Sequence, residues 1–400
     1  MSWRANIRDE IRSMMPSEPR PAEAVWLDAN ESPYGLDEQA AEALARHLAR
    51  APLNRYPESS ADALCRLVAE QLGVDPRGVL VGNGTEELVR LLCSTFSKLK
   101  PRESRPRVGF PVPGPSPYRP GVLSQGARSL EMPLKEDFGL DLAAMERHIT
   151  GGHPNLLLFC RPNDPTGNVW AREEMEKIID DHPEIVVAID ETYFEYCGET
   201  LIDLIPTRPH LVVLRSLSRV GLAGLRVGFL IGNPELVGEV HKVRPAHNIG
   251  MLNLEGALWL LQNQRSQLLA AVEKVKAERE RMIPALQAIE GVKVWPSLGN
   301  FVMIQVADGP GVRRALLIRG AKAGDGSRDI VVAEAGESGL TQNCLRLSIG
   351  TPAENDALLH ALPEAIAHPE AAPPASRHKQ TEVNADEETA KPAPGLPKFL

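Results

Sequence analysis

Short, unbroken apolar runs recur through the first two thirds of the chain, separated by longer stretches with helical spacing. The runs at 79–81, 108–110, 129–132, 156–159, 185–189, 211–214 and 227–231 predict strands buried on both faces. Helices are expected between them. One is capped by Asp37 and runs to about Arg50, and another spans 60–72, where Gly73 stops it. The turn Gly82-Asn83-Gly84-Thr85-Glu86-Glu87 opens a third that reaches about Phe96, and two more cover 142–149 and 172–180. This alternation predicts an α/β lobe with a mostly parallel sheet.

From Leu252 the pattern changes. A long helical stretch, charged over 273–281, leads into strands at 292–294, 301–306, 330–332 and 345–349. Helices are expected near 313–318 and from Pro352 to about Leu362, which makes a second, smaller α+β lobe. Residues 1–25 read as a charged, Pro-spaced arm, and 27–35 as a turn-rich loop. The expected division is 1–55 (arm and part of the small domain), 56–250 (large domain), 251–367 (linking helix and small domain) and 368–400. That last stretch is rich in Pro, Ala and charge and is expected to be disordered.

Chemistry gathers at the strand ends. The run 211–214 passes into Arg215-Ser216-Leu217-Ser218-Arg219, and a Gly-punctuated turn leads on to Arg226. Hydroxyls and guanidinium groups at the end of a buried strand suit an anion, most often phosphate. Gly84, Asp164 and Asp190 also fall just beyond carboxyl ends of predicted strands, where open α/β sheets bind ligands.

Composition narrows the possibilities. A formal net charge of −9 argues against a nucleic-acid partner. No run is long and apolar enough to span a membrane, and the charged N-terminus lacks the apolar centre of a secretion signal. Cys65, Cys93, Cys160, Cys197 and Cys344 are scattered and odd in number. They read as reduced core thiols of a cytoplasmic protein, with no disulfide framework and no metal site.

Seven segments in a fixed order carry a resemblance. They are residues 27–35 (LDANESPYG), Arg55-Tyr56-Pro57, 81–87 (VGNGTEE), Pro165-Thr166-Gly167, Asp190-Glu191-Thr192-Tyr193, 221–226 (GLAGLR) and 345–351 (LRLSIGT). The chain resembles the class I/II, fold-type-I aminotransferases that use pyridoxal phosphate (PLP), and among them the histidinol-phosphate aminotransferases, from about Leu27 to Leu362. The resemblance implies the PLP-transferase (aspartate aminotransferase-like) fold and a homodimer acting on a small-molecule substrate. It implies that the Thr85 and Glu86 amides cradle the cofactor phosphate with Ser216, Ser218 and Arg226, and that Tyr56 reaches in from the partner subunit. Asp190 would pair with the pyridine nitrogen and Tyr193 with the phenolic oxygen, while Arg346, Asn30 and Tyr34 would contact substrate, Arg346 by clamping a carboxylate.

The same pocket departs from the family pattern. The Schiff-base lysine of Ser-Xaa-Ser-Lys stands here as Arg219, and no lysine occurs between Lys177 and Lys242. The family's Asn-Pro-Thr-Gly begins here with Asp164, the ring-stacking aromatic stands as Pro115, and the loop from Arg219 to Arg226 is one residue shorter. Three changes in one pocket weigh against a single engineered trapping substitution. A guanidinium is neither a base nor an imine-forming nucleophile at neutral pH. Loss of a general base alone costs about 10²- to 10⁴-fold, so ordinary transamination is not expected. Arg219 is expected to form an ion pair with Asp164, where a carboxylate would otherwise repel a phenolate.

Three functions stay open. One is a repurposed enzyme acting on a small amino or phosphorylated metabolite. A second is a protein that holds PLP or pyridoxamine phosphate (PMP) without a covalent link, with His247 as a candidate base. The third binds no cofactor and acts as a non-catalytic partner of an active paralogue.

Overall fold

The computed structural model describes residues 3–16, 24–101, 103–319, 329–336 and 339–371. Among the described residues twelve strands form two sheets. In chain order they are β1 (Ala24–Leu27), β2 (Val79–Gly82), β3 (Arg107–Val112), β4 (Arg128–Pro133), β5 (Leu156–Cys160), β6 (Val186–Asp190), β7 (Leu211–Ser216) and β8 (Gly228–Gly232). Then come β9 (Lys293–Val294), β10 (Phe301–Gln305), β11 (Asp329–Glu334) and β12 (Cys344–Ser348).

The larger sheet has the order β2-β8-β7-β6-β5-β3-β4. Strands β4, β3, β5, β6 and β7 run parallel, and β8 lies antiparallel to both of its neighbours. Every residue of β5, β6, β7 and β8 is buried. Alternate side chains serve two cores: Leu157, Phe159, Val187 and Ile189 pack on one face, and Leu156, Leu158, Cys160 and Ala188 on the other. Helices cover both faces, so the strands read as continuous apolar runs.

The smaller sheet has the order β1-β11-β12-β10-β9. Its β1 pairs in parallel with β11, Leu27 opposite Val332. This strand falls in the stretch expected to be arm and loop, because four residues after a Pro-rich segment give no period, and their partner lies some three hundred residues on. Two helices, Tyr118–Ser124 and Pro234–Val243, were likewise not expected.

Single-turn helices at Asp9–Arg12 and Phe194–Cys197 were not expected either, whereas the other longer helices follow the sequence closely. Asp37 Oδ1 accepts the Ala40 N–H at 2.8 Å and starts the helix Glu38–Leu48. The long helical stretch is two helices, Met251–Asn263 and Arg265–Gln287, broken at Gln264. The last helix continues through Pro363 to Ala367, beyond the expected end at Leu362, and buries Ala365. Most of the expected disordered tail, from residue 372 on, lies outside the described residues. Just before it, the Glu370 N–H bonds Gly311 O at 3.0 Å and its carbonyl accepts Arg314 Nε at 2.9 Å. Among the described residues no helix is long and apolar enough to cross a membrane.

The candidate site lies between the two sheets. The loops after β5, β6 and β7 approach it from the large sheet, the Asp28–Asn30 segment and Arg346 of β12 from the small one.

Candidate functional site

The turn after β2 makes an anion corner. Gly84 opens the helix Gly84–Thr95 at φ +76°, a conformation that disfavours any side chain. The space is also taken: a Cβ on Gly84 would stand 2.9 Å from Arg226 Nη2, and one on Gly228 2.9 Å from Thr85 N. Arg226 thus sets its guanidinium against the helix start, where unpaired amides and the helix dipole already favour an anion. Nearby, Ser216 Oγ accepts the Ser218 N–H at 3.0 Å. The resemblance brings Tyr56 to this corner from a partner; within one chain its ring is 82% exposed and stacks on His247 at 4.7 Å.

Asp190, on the last residue of β6, stands at the next position along. Its Oδ1 accepts the Thr192 N–H at 3.1 Å, and the Tyr118 hydroxyl donates to Oδ2 at 3.3 Å. Burial pushes its carboxyl from 3.8 up to about 6. Tyr118 is a contributor that sequence reasoning missed. It sits three residues after Pro115, which drew attention as the absent ring, and both line the pocket.

The third group centres on Asp164. Arg346 Nη1 donates to Asp164 Oδ1 at 2.6 Å. Oδ2 accepts the Tyr193 hydroxyl at 2.7 Å and Asn30 Nδ2 at 3.2 Å. Asn30 Nδ2 also donates to the Tyr193 phenolic oxygen at 2.8 Å, and the Ser348 hydroxyl donates to Asn30 Oδ1 at 3.0 Å. Burial alone would raise the Asp164 carboxyl; the Arg346 charge and the Tyr193 hydroxyl outweigh it and hold the group below 3.8.

The expected Arg219–Asp164 ion pair is not formed. Arg219 Nη1 instead donates to Ala29 O at 2.6 Å and Asn30 O at 3.2 Å, and its guanidinium lies 5.2 Å from the Tyr193 ring centre. Two carbonyls from the small sheet's first loop bind this cation, and Asp164 takes Arg346 as its counter-ion. Arg346 therefore does not offer a free fork to the pocket: Nη1 is on Asp164 and Nη2 on the Asp28 carbonyl. Tyr34 is also outside this group. Its ring faces Lys274 Nζ at 5.2 Å, and its carbonyl lies over Gly221.

Members of these three groups line one small pocket, with Arg226, Ser216, Asn30 and Arg346 outside its lining. The lining includes Thr85 and Glu86 of the helix start, Asp190 with Tyr118, and, across from the helix start on the far loops, Asp164, Tyr193 and Arg219. The corner at Thr85 and Arg226 fits a phosphate monoester. The far end does not fit an aldehyde cofactor bound through lysine: Arg219 is the one basic residue on the wall, and an anionic oxygen at that end would meet the Asp164 carboxylate.

Comparison with known proteins gives a consistent result. The sequence model of the family described as aminotransferase class I and II matches residues 22–362. A histidinol-phosphate aminotransferase of Methylibium petroleiphilum is 34% identical over 361 residues, covering 89% of this chain and 93% of its own. The crystal structure of a histidinol-phosphate aminotransferase from Sinorhizobium meliloti, in complex with pyridoxal-5'-phosphate, has a TM-score of 0.78 at 22% identity, covering 91% of this chain and 98% of that one. A variant of the aspartate aminotransferase of Thermus thermophilus has a TM-score of 0.72 at 22% identity, covering 90% and 99%. The large and small sheets thus form an aspartate aminotransferase-like fold.

Proposed function

Because the chain belongs to the class I and II aminotransferase family, we propose that it binds a small phosphomonoester non-covalently in this pocket and does not carry out transamination through a lysine. The ligand is PMP or a phosphorylated amine metabolite, a class that includes histidinol phosphate, which relatives are named for. The observation that carries this reading is the pairing of a phosphate-type corner with a far end whose one basic wall residue, Arg219, is tied to the Ala29 and Asn30 carbonyls.

In this reading the Thr85 and Glu86 amides, Arg226, Ser216 and Ser218 hold the phosphate. Asp190 faces a protonated ring nitrogen or an amine; a cation there would draw its raised carboxyl back to the ionised form. Asp164 and Tyr193 line the far wall, with Asn30 and Arg346 behind them. The exposed Tyr56 ring supports assembly of two copies, each offering this side chain to the other's phosphate corner. Four buried thiols and a fifth that is half-buried, none in a disulfide, are in keeping with a reducing compartment.

Calorimetric titration with PMP, with inorganic phosphate as competitor, tests the reading. The expected result is saturable binding that phosphate displaces and that Arg226→Gln weakens by about tenfold or more, the usual loss for a charge-assisted hydrogen bond. Absence of binding by both PMP and phosphate would overturn it.

A further inference from the structure

Arg219 stands half-buried on the pocket wall, and among the described residues no carboxylate lies within ion-pair distance of it. Its Nη1 donates to two uncharged acceptors, Ala29 O at 2.6 Å and Asn30 O at 3.2 Å. Nε is buried without a partner. Nη2 has no partner among the described residues either, but it is not sealed from the pocket. Three of the five N–H bonds of this guanidinium therefore lack an acceptor.

The acids of the lining do not answer this charge. They are Glu86, Asp164 and Asp190. Asp164 is matched by Arg346 at 2.6 Å, and Tyr193 and Asn30 donate to its other oxygen. Asp190 ends β6 and accepts from the Thr192 N–H and the Tyr118 hydroxyl, while Glu86 belongs to the helix start across the pocket. With Asp164 and Arg346 cancelling, the far end keeps one positive charge. Its field reaches the neighbours: burial raises the Tyr193 phenol, and the Arg219 charge is the first influence opposing that rise. A cation drawn out of water without a counter-ion is unfavourable until an anion reaches it.

We infer that Arg219 is an anion seat, so that the pocket takes phosphomonoesters whose opposite end is a carboxylate accepting from Arg219 Nη2, with no amine required. Arg346, to which the resemblance gives a carboxylate, is engaged by Asp164 and the Asp28 carbonyl, and Arg219 takes over that contact. The inference rests on the proposed phosphate-binding reading and adds a second charged contact to it. It involves no covalent step.

Ligands that differ only in that charge test it. Phosphoglycolate, 3-phosphooxypropanoate and 4-phosphooxybutanoate are each compared with the corresponding carboxamide by calorimetric titration of the full-length protein. At one chain length or more the carboxylate is expected to bind about tenfold or more tightly than its amide, and Arg219→Gln is expected to remove that difference. Equal binding within all three pairs, or tighter binding of the amides throughout, would overturn the inference. A carboxylate preference that persists in a folded Arg219→Gln protein would overturn it as well. Should that variant fail to fold, Arg219→Met makes the same test, and should neither fold, the wild-type comparison decides alone. Binding of inorganic phosphate or of the amides with no carboxylate preference defeats this inference and leaves the phosphate-binding reading standing. Failure of all six esters and of inorganic phosphate to bind defeats that reading, and this inference with it.

Discussion

Arg226 Nη2 lies 2.9 Å from the point where a Cβ on Gly84 would stand, so the guanidinium occupies the space that the missing side chain leaves at the helix start. Two requirements meet at Gly84: a backbone at φ +76° and close approach of a cation. Gly84→Ala is therefore expected to cost about 1–2 kcal/mol of stability from the left-handed backbone alone. It should also push Arg226 outward and weaken phosphate-ester binding by about tenfold. Urea unfolding and calorimetry on the same variant check both effects.

Asp190 makes stability depend on pH. Its folded value of about 6 lies above the ordinary 3.8, so between those values the folded chain holds a proton that the unfolded chain has released. Stability from this group is therefore greatest near pH 4, falls as pH rises to about 6, and is flat above that, a change of at most about 3 kcal/mol. Asp164 acts with the opposite sign and in a lower window, since its depressed carboxyl loses its contribution only as pH falls below 3.8. Asp190→Asn is expected to remove the decline between about pH 4 and pH 6 and to raise stability near neutral pH. Urea midpoints across that range would show it, and a decline that survives the substitution would count against the assignment.

Beneath the site, Glu191 and Arg215 form a buried ion pair at 2.8 Å. Glu191 also accepts the Leu201 N–H at 2.7 Å and the Thr200 hydroxyl at 2.8 Å. Arg215 lies over the Phe194 ring, 3.5 Å from its centre. Removal of the carboxylate strands a buried cation, so Glu191→Ala is expected to cost about 3–5 kcal/mol. Thermal and urea unfolding measure the loss, and a cost below about 1 kcal/mol would mean that Arg215 finds water or another partner.

Much of this architecture was legible in the residues. Unbroken apolar runs exposed β5, β6 and β7, because a strand covered on both faces must be apolar at every position. The positions of Asp164, Asp190 and Arg219 followed from their place at the ends of those runs. Their partners were not legible. Arg346 is 182 positions from Asp164, and the carbonyl of Ala29 is 190 positions from Arg219. Which cation a carboxylate selects is decided where the two sheets face each other, and no local period encodes that. Charge proximity along the pocket suggested Arg219 for Asp164; the actual choice follows from Arg346 projecting off β12 toward the wall, while Arg219 is drawn to the carbonyls of the loop after β1. The loop at 27–35 was legible, but the strand before it was not, since β1 has too few residues to show a period.

The central claim is that position 219 offers no amine to a carbonyl ligand. Incubation with PLP, borohydride reduction and peptide mapping by mass spectrometry test it most directly. The wild-type protein is expected to yield no stoichiometric phosphopyridoxyl adduct in the pocket and no absorption band from a protein-bound imine, while Arg219→Lys is expected to gain both, with the adduct at position 219. A stoichiometric adduct on any pocket residue of the wild-type protein would contradict the account.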